Sequence, residues 1–277
     1  MHSVTQALRD RLLDPTLSPA AKIELLHNAY AGATAFVLAC GPSLNEYKPE
    51  ELARLLKSEL VLCIKQSFDH VQAESDFLLL NSWNFRRYEF HAGRPIIIRE
   101  AGAKDPPVYL AGDIELAIPK PSSRDDQLAL SKRFDDYTFS RTIQRPWGPG
   151  VLYELGFYLA EHVGARKIVT LGWDVGVKNS PQMPHFYDTT SPATVALIRK
   201  SRDIDDLAER NRFLHDNGVV YNRPRIIPEE VEDCAAVSAD WAAWLAARDI
   251  ELKLVSRHSL AAASIPRTRI EAELSSR

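Results

Sequence analysis

Three hydrophobic runs in this chain each end on residues able to hold a ligand. Thr34-Ala35-Phe36-Val37-Leu38-Ala39-Cys40 stops at Gly41-Pro42-Ser43-Leu44, Phe77-Leu78-Leu79-Leu80 stops at Asn81, and Lys167-Ile168-Val169-Thr170-Leu171 stops at Gly172-Trp173-Asp174. Uninterrupted apolar runs of this length read as parallel strands covered on both faces, and ligands of such sheets bind beyond the strands' carboxyl ends. Gly41 lets the backbone approach a phosphate closely, Ser43 supplies a hydroxyl, and the free amides of the next helix favour an anion. A plain tight turn fits the same four residues, which form neither the dinucleotide fingerprint nor the phosphate loop. Asp174 can hold a ribose hydroxyl, a metal or a substrate amine, or simply cap the strand end.

Other side chains extend this set. His185, in the polar loop His185-Phe186-Tyr187-Asp188, can act as a general acid or help a phosphate leave, and reads equally as a surface histidine. Arg141, Arg145, Arg223 and Arg225 can clamp an anion through bidentate guanidinium contacts. Trp241 and Trp244, at helical spacing, read as core. Cys40, Cys63 and Cys234 contain no Cys-x-x-Cys pair, so they read as reduced thiols and support neither a disulfide framework nor a thiolate zinc site. Neither a Gly-x-Ser-x-Gly elbow nor a His-Glu-x-x-His pair is present, which sets aside those two hydrolase classes. With 34 basic against 37 acidic residues the net charge is −3, giving no bulk attraction to nucleic acid or an anionic membrane. Met1-His2-Ser3-Val4-Thr5-Gln6 lacks the basic start of a signal peptide, and no run approaches membrane-spanning length, so the expected location is cytoplasmic.

The elements that must position these residues alternate. Helices are expected over 8–13 and 20–30, after which come the strand at Thr34 and a helix over Pro49–Leu56. Strands follow at Leu60–Ile64, Phe77–Leu80 and Pro95–Arg99. Residues 100–146, with prolines and paired aspartates, read as an insertion or lid. A helix over Val151–His162, ended by Gly164, leads to the strand at Lys167, and helices over 198–217 and 235–247 precede a last strand over 250–255. A short strand is also read at Val219-Val220-Tyr221. This order predicts a Rossmann-like, doubly wound α/β fold with a mostly parallel sheet and a lid insertion. Its parts are an N-terminal helical segment (1–33), a nucleotide-binding domain (34–262) with the lid at about 100–146, and a C-terminal tail (263–277).

Phe36-Val37-Leu38-Ala39-Cys40-Gly41-Pro42-Ser43-Leu44-Asn45-Glu46 resembles the opening of the bacterial sialyltransferases and the related motility-associated flagellin glycosyltransferases. Cys63-Ile64-Lys65-Gln66 stands where that group carries an Asn-Gln pair, Asn81 matches the asparagine ending its third strand, and Gly150-Val151 through Gly172-Trp173-Asp174 resembles its glycine, helix, strand and Gly-x-Asp segment. Leu252-Lys253-Leu254-Val255-Ser256-Arg257-His258-Ser259-Leu260 resembles its closing strand, so the likeness covers roughly 34–262. The resemblance implies transfer of a sialic-acid-type sugar from its cytidine monophosphate (CMP) conjugate to a glycan or protein, with no cofactor or metal required. It implies a donor site built from Gly41, Pro42, Ser43, Lys65, Gln66, Asn81, Gly150 and Asp174. Gly41 and Ser43 would line the phosphate and Asp174 would sit at the ribose. Arg145 would serve as an anion clamp and His185 as proton donor to the departing phosphate. Where the group has its base histidine, this chain has Glu232 and Asp233.

Gly-Pro-Ser-Leu also resembles a broader group that includes pterin pyrophosphokinase-like proteins. Under that likeness Asp174 would help bind magnesium with ATP. A non-catalytic nucleotide-binding protein is the third reading, and self-association is left open in all three.

Overall fold

The computed structural model describes residues 5–82, 84, 88–101, 110–118, 132–146, 150–174, 228–256, 259 and 261–275, with isolated positions between 197 and 217. Its centre is a sheet of seven strands: β1 (Thr34–Leu38), β2 (Leu60–Ile64), β3 (Phe77–Leu80), β4 (Ile96–Ala101), β5 (Ile114–Ala117), β6 (Lys167–Leu171) and β7 (Glu251–Leu254). They lie in the order β5-β4-β3-β2-β1-β6-β7, and every pairing is parallel. The chain winds outward from β1 through β5, then crosses back to place β6 on the other flank of β1. The β1/β6 boundary is therefore the point where the winding reverses, and adjacent connections there leave to opposite faces.

Alternation along the strands builds two cores. Ala35, Val37, Leu62, Leu79 and Ile98 join one cluster, while Phe36, Leu38, Val61, Leu78 and Ile97 join the other. The first cluster is covered by α1 (Gln6–Leu13), α2 (Pro19–Leu26), α4 (Phe157–His162) and α5 (Pro228–Ala246). The second is covered by α3 (Pro49–Leu56) and α6 (Ile270–Ser275). Helix starts follow local chemistry: the Thr5 hydroxyl accepts the Leu8 N–H and the Ser18 hydroxyl accepts the Ala21 N–H, with Pro19 opening α2. Trp241 is almost wholly buried, 4.5 Å from the Phe134 ring and 4.8 Å from Tyr158, so the tryptophans are core as expected.

Two stretches differ from the sequence reading. The segment expected as a lid over 100–146 contains β5, whose short alternating pattern is that of an edge strand, and Phe134 and Phe139, which join the core. Four residues with only two buried give too weak a period-two signal to stand out among prolines and aspartates. The tail beyond residue 263 carries α6, with Ile270 fully buried. No described helix is long and apolar enough to cross a membrane. The helix expected over 198–217 (isolated positions apart) and the strand expected at Val219-Val220-Tyr221 lie outside the described residues.

Helix α6 fastens β6 to β7 through charge. Glu273, 4% exposed, accepts Lys167 Nζ at 2.8 Å, Lys253 Nζ at 3.0 Å and the Thr268 hydroxyl at 2.6 Å. Burial alone would disfavour its charge, but these donors outweigh it and hold the carboxyl at about 2. A depressed carboxyl contributes stability above its unfolded value, and that contribution is lost as pH falls toward the folded value. Glu273→Gln should therefore lower unfolding free energy by about 2 kcal/mol at pH 7 and flatten the acid loss. Urea titrations at pH 7 and pH 3 check this; equal loss at both pH values would show that the charge is unimportant.

Candidate functional site

The carboxyl ends of β1 and β6 are joined by backbone before any ligand is considered. Beyond the strands, the Ala39 N–H donates to Leu171 O at 2.7 Å and the Gly41 N–H to Gly172 O at 2.7 Å. The Gly172 N–H then donates to Ser43 Oγ at 3.1 Å, and the Ser43 N–H donates to Asp174 Oδ2 at 2.7 Å. Glycine is required on both sides of this junction. A Cβ on Gly41 would fall inside contact distance of Gly172 O and Asp174 Oδ2, and Gly172 has φ +75° with Ala39 O where a Cβ would point. Pro42 opens a 3₁₀ turn over Pro42–Glu46 in which Ser43 and Leu44 are buried.

The amide that the sequence offers to a phosphate thus holds a carboxylate instead. Asp174 supplies the negative charge at this turn, and a hydrogen bond to a charged acceptor contributes about 1.5–3 kcal/mol. Its other oxygen, Oδ1, is buried with no hydrogen-bond partner among the described residues. An orphaned carboxylate oxygen costs about 1–3 kcal/mol, so its retention at a strand edge calls for an explanation.

Around this junction the structure brings together most of the donor set expected from the sequence. Lys65 follows β2 with φ +51° and starts the 3₁₀ turn Lys65–His70, which also carries Gln66. The Ser67 hydroxyl ties this turn to β1, 2.7 Å from Leu38 O and 2.9 Å from Ile64 O. Cys40 donates to Ile64 O at 3.1 Å; burial pushes its thiol up to about 11 and that of Cys63 up to about 12, which keeps both protonated at neutral pH. Asn81 ends β3, half-buried, with its carbonyl accepting the Asn84 N–H at 3.2 Å. Gly150 sits at the start of the helix that leads into β6, its carbonyl accepting the Tyr153 N–H at 2.9 Å and the Glu154 N–H at 3.2 Å.

Arg145 lies elsewhere than an open clamp. It is fully buried, its guanidinium 3.7 Å from the Phe139 ring centroid, with Nη2 donating to Thr142 O at 2.6 Å and Nε to Ile143 O at 3.4 Å. Burial pulls its value down to about 9, and Nη1 has no hydrogen-bond partner. Arg141 instead pairs with Asp136 at 3.5 Å on an exposed segment. His185, Arg223 and Arg225 lie outside the described residues. Glu232 and Asp233 fall within α5, and their side chains are also outside the description.

The sequence reading missed two acids. Glu100, at the end of β4, is 1% exposed and is hydrogen-bonded to Glu154, which is 6% exposed. Glu154 sits on a π-helical turn, Leu152–Gly156, that precedes α4. Such turns are rare and are frequent at functional sites. A glutamate inside an apolar strand pattern, Pro95-Ile96-Ile97-Ile98-Arg99-Glu100, was the available signal. Among the described residues no group of three or more His, Cys, Asp and Glu is arranged to hold a metal. A separate cleft of about 380 Å³ beside α3 and α6 is lined by Glu46, Glu51 and Glu271 together with Tyr47, Thr268 and Arg269.

Protein-family models, curated proteins and solved structures were each compared with this chain, and none of them matches it.

Because the β1 and β6 ends are packed backbone to backbone, Gly41→Ala should destabilise the protein by about 2 kcal/mol or more. Thermal unfolding measures this. A variant as stable as the parent would show that the junction can open without cost.

Proposed function

We propose that the carboxyl edge at β1/β6 binds a nucleotide and that the protein is a glycosyltransferase using a CMP-linked, sialic-acid-type sugar. The observation that carries this reading is Asp174 Oδ1, a buried acceptor without a partner among the described residues, at the reversal point of a parallel sheet. A ribose hydroxyl is the donor such a carboxylate takes in nucleotide-binding sheets. Asp174 then has two duties: Oδ2 holds the Gly41-Pro42-Ser43 turn, and Oδ1 receives the ribose.

This arrangement reassigns the phosphate. With Ser43 N–H and Oγ both engaged inside the junction, a phosphate placed on them would meet the Asp174 charge. Lys65, held in the left-handed region at the neighbouring strand end, is the cation placed to receive it, with Gln66 and Asn81 flanking. The resemblance to the bacterial sialyltransferases in the order of strand-end residues supplies the cytidine and the sugar class.

Calorimetric titration tests the reading. CMP should bind with and without magnesium, and 2′-deoxy-CMP or Asp174→Ala should each weaken binding by about 10-fold, the value of one hydrogen bond to a charged group. Lys65→Met should reduce CMP affinity to that of cytidine. ATP binding that requires magnesium would move the protein to pyrophosphokinase chemistry, and CMP binding indifferent to Asp174 would overturn the site.

A further inference from the structure

Resting on the transferase reading, we propose that Glu100 and Glu154 share one proton and act together as the base that deprotonates the acceptor hydroxyl. Glu100 lies one residue past the Leu80–Arg99 pairing, which sets it beside Asn81 on the same carboxyl edge as Lys65 and Asp174. It shares strand parity with Ile96 and Ile98, so it belongs to the face covered by α4. There the π-helical turn delivers Glu154. A regular α-helical turn would rotate Glu154 by a different amount per residue, so the expanded turn has a consequence for where this carboxyl stands.

Two buried carboxyls in hydrogen-bond contact cannot both be ionised at neutral pH. Among the described residues, the charged groups around them are few. Lys65 stands after β2, Arg145 follows β5, and the Ser82 backbone amide donates from the loop after β3. Burial, then the Glu154 charge, raise Glu100 well above the ordinary carboxylate range, while Lys65 and Ser82 oppose this. Glu100 Oε1, in a side chain 99% removed from solvent, has no hydrogen-bond partner among the described residues, which leaves an acceptor at the edge that a ligand or water can fill.

A singly protonated pair is a better base than an exposed carboxylate, because burial penalises its remaining charge and a second proton removes it. In the transfer step the acceptor O–H breaks and its proton passes to the pair. The electron pair of that oxygen forms the bond to the anomeric carbon. The carbon–oxygen bond to phosphate breaks, and its electrons leave with CMP. The neutral pair then returns one proton to solvent. Glu232 and Asp233 are not needed as the base in this scheme.

Two measurements test the proposal. Carbon-13 NMR titration of glutamate carboxyls in the ligand-free protein should show one carboxyl titrating far above the others, and Glu154→Gln should bring it down; two ordinary, independent titrations would overturn the pair. CMP release from CMP-N-acetylneuraminate should fall by about 100-fold or more in Glu154→Gln, with CMP affinity retained, and Glu100→Gln should shift the pH profile of the rate. An unchanged rate and profile in both variants would overturn the base role. Absence of CMP release from the parent protein would overturn the transferase reading and the base role with it, while the NMR result would still decide whether the pair exists.

Discussion

The closeness of two strand ends governs this molecule. Past β1 and β6, the Gly41 and Gly172 backbones pass with no room for a side chain on either, and the Ser43–Asp174 and Gly172–Ser43 hydrogen bonds lock the result. Everything proposed for the site follows from that junction. It turns the Gly-Pro-Ser-Leu segment into a short 3₁₀ turn, uses up the amide that would otherwise attract phosphate, and fixes Asp174 with one oxygen satisfied and one waiting. The cost of the waiting oxygen is borne by a sheet whose central strands are buried on both faces.

Charge is distributed along the carboxyl edge in an order that suits a donor and an acceptor side by side. Asp174 lies at β6 and Lys65 at β2, while the Glu100–Glu154 pair lies between β4 and the π-helical turn. Arg145, buried against Phe139 and Tyr158, supports the segment leading away from β5, and its Nη1 has no hydrogen-bond partner among the described residues. Among the described residues the edge is not a basic cleft. Under the proposed function, selectivity for a nucleotide would come from individually placed groups rather than from a bulk field.

Much of the fold was legible in the residues because parallel strands announce themselves as continuous apolar runs. Phe36-Val37-Leu38 and Ile168-Val169-Thr170 could hardly be anything else, and both lie in strands of the parallel sheet. Strand β5 was not legible, since four residues at a sheet edge carry little periodic signal, and its neighbours' prolines pointed to a loop. Part of the proposed site was legible. Asn81 and Asp174 stand out by their places at strand ends, whereas Lys65 and Gln66 enter only through the family resemblance. The hydrogen bond from Ser43 to Asp174 spans 131 residues, and no local pattern reports a contact of that range. Glu154 was hidden for a similar reason: the helix was expected, but its expanded turn, which packs on β2, and so the direction of that carboxyl, is not reported by local propensity.

The most direct test of the account is to map amide and side-chain NMR shifts on adding CMP. The account predicts that the largest changes fall at Gly41, Ser43, Lys65, Gln66, Asn81 and Asp174, on the ends of four adjacent strands. Shifts concentrated away from the carboxyl edge, or none at saturating CMP, would contradict the claim that this edge is a nucleotide site.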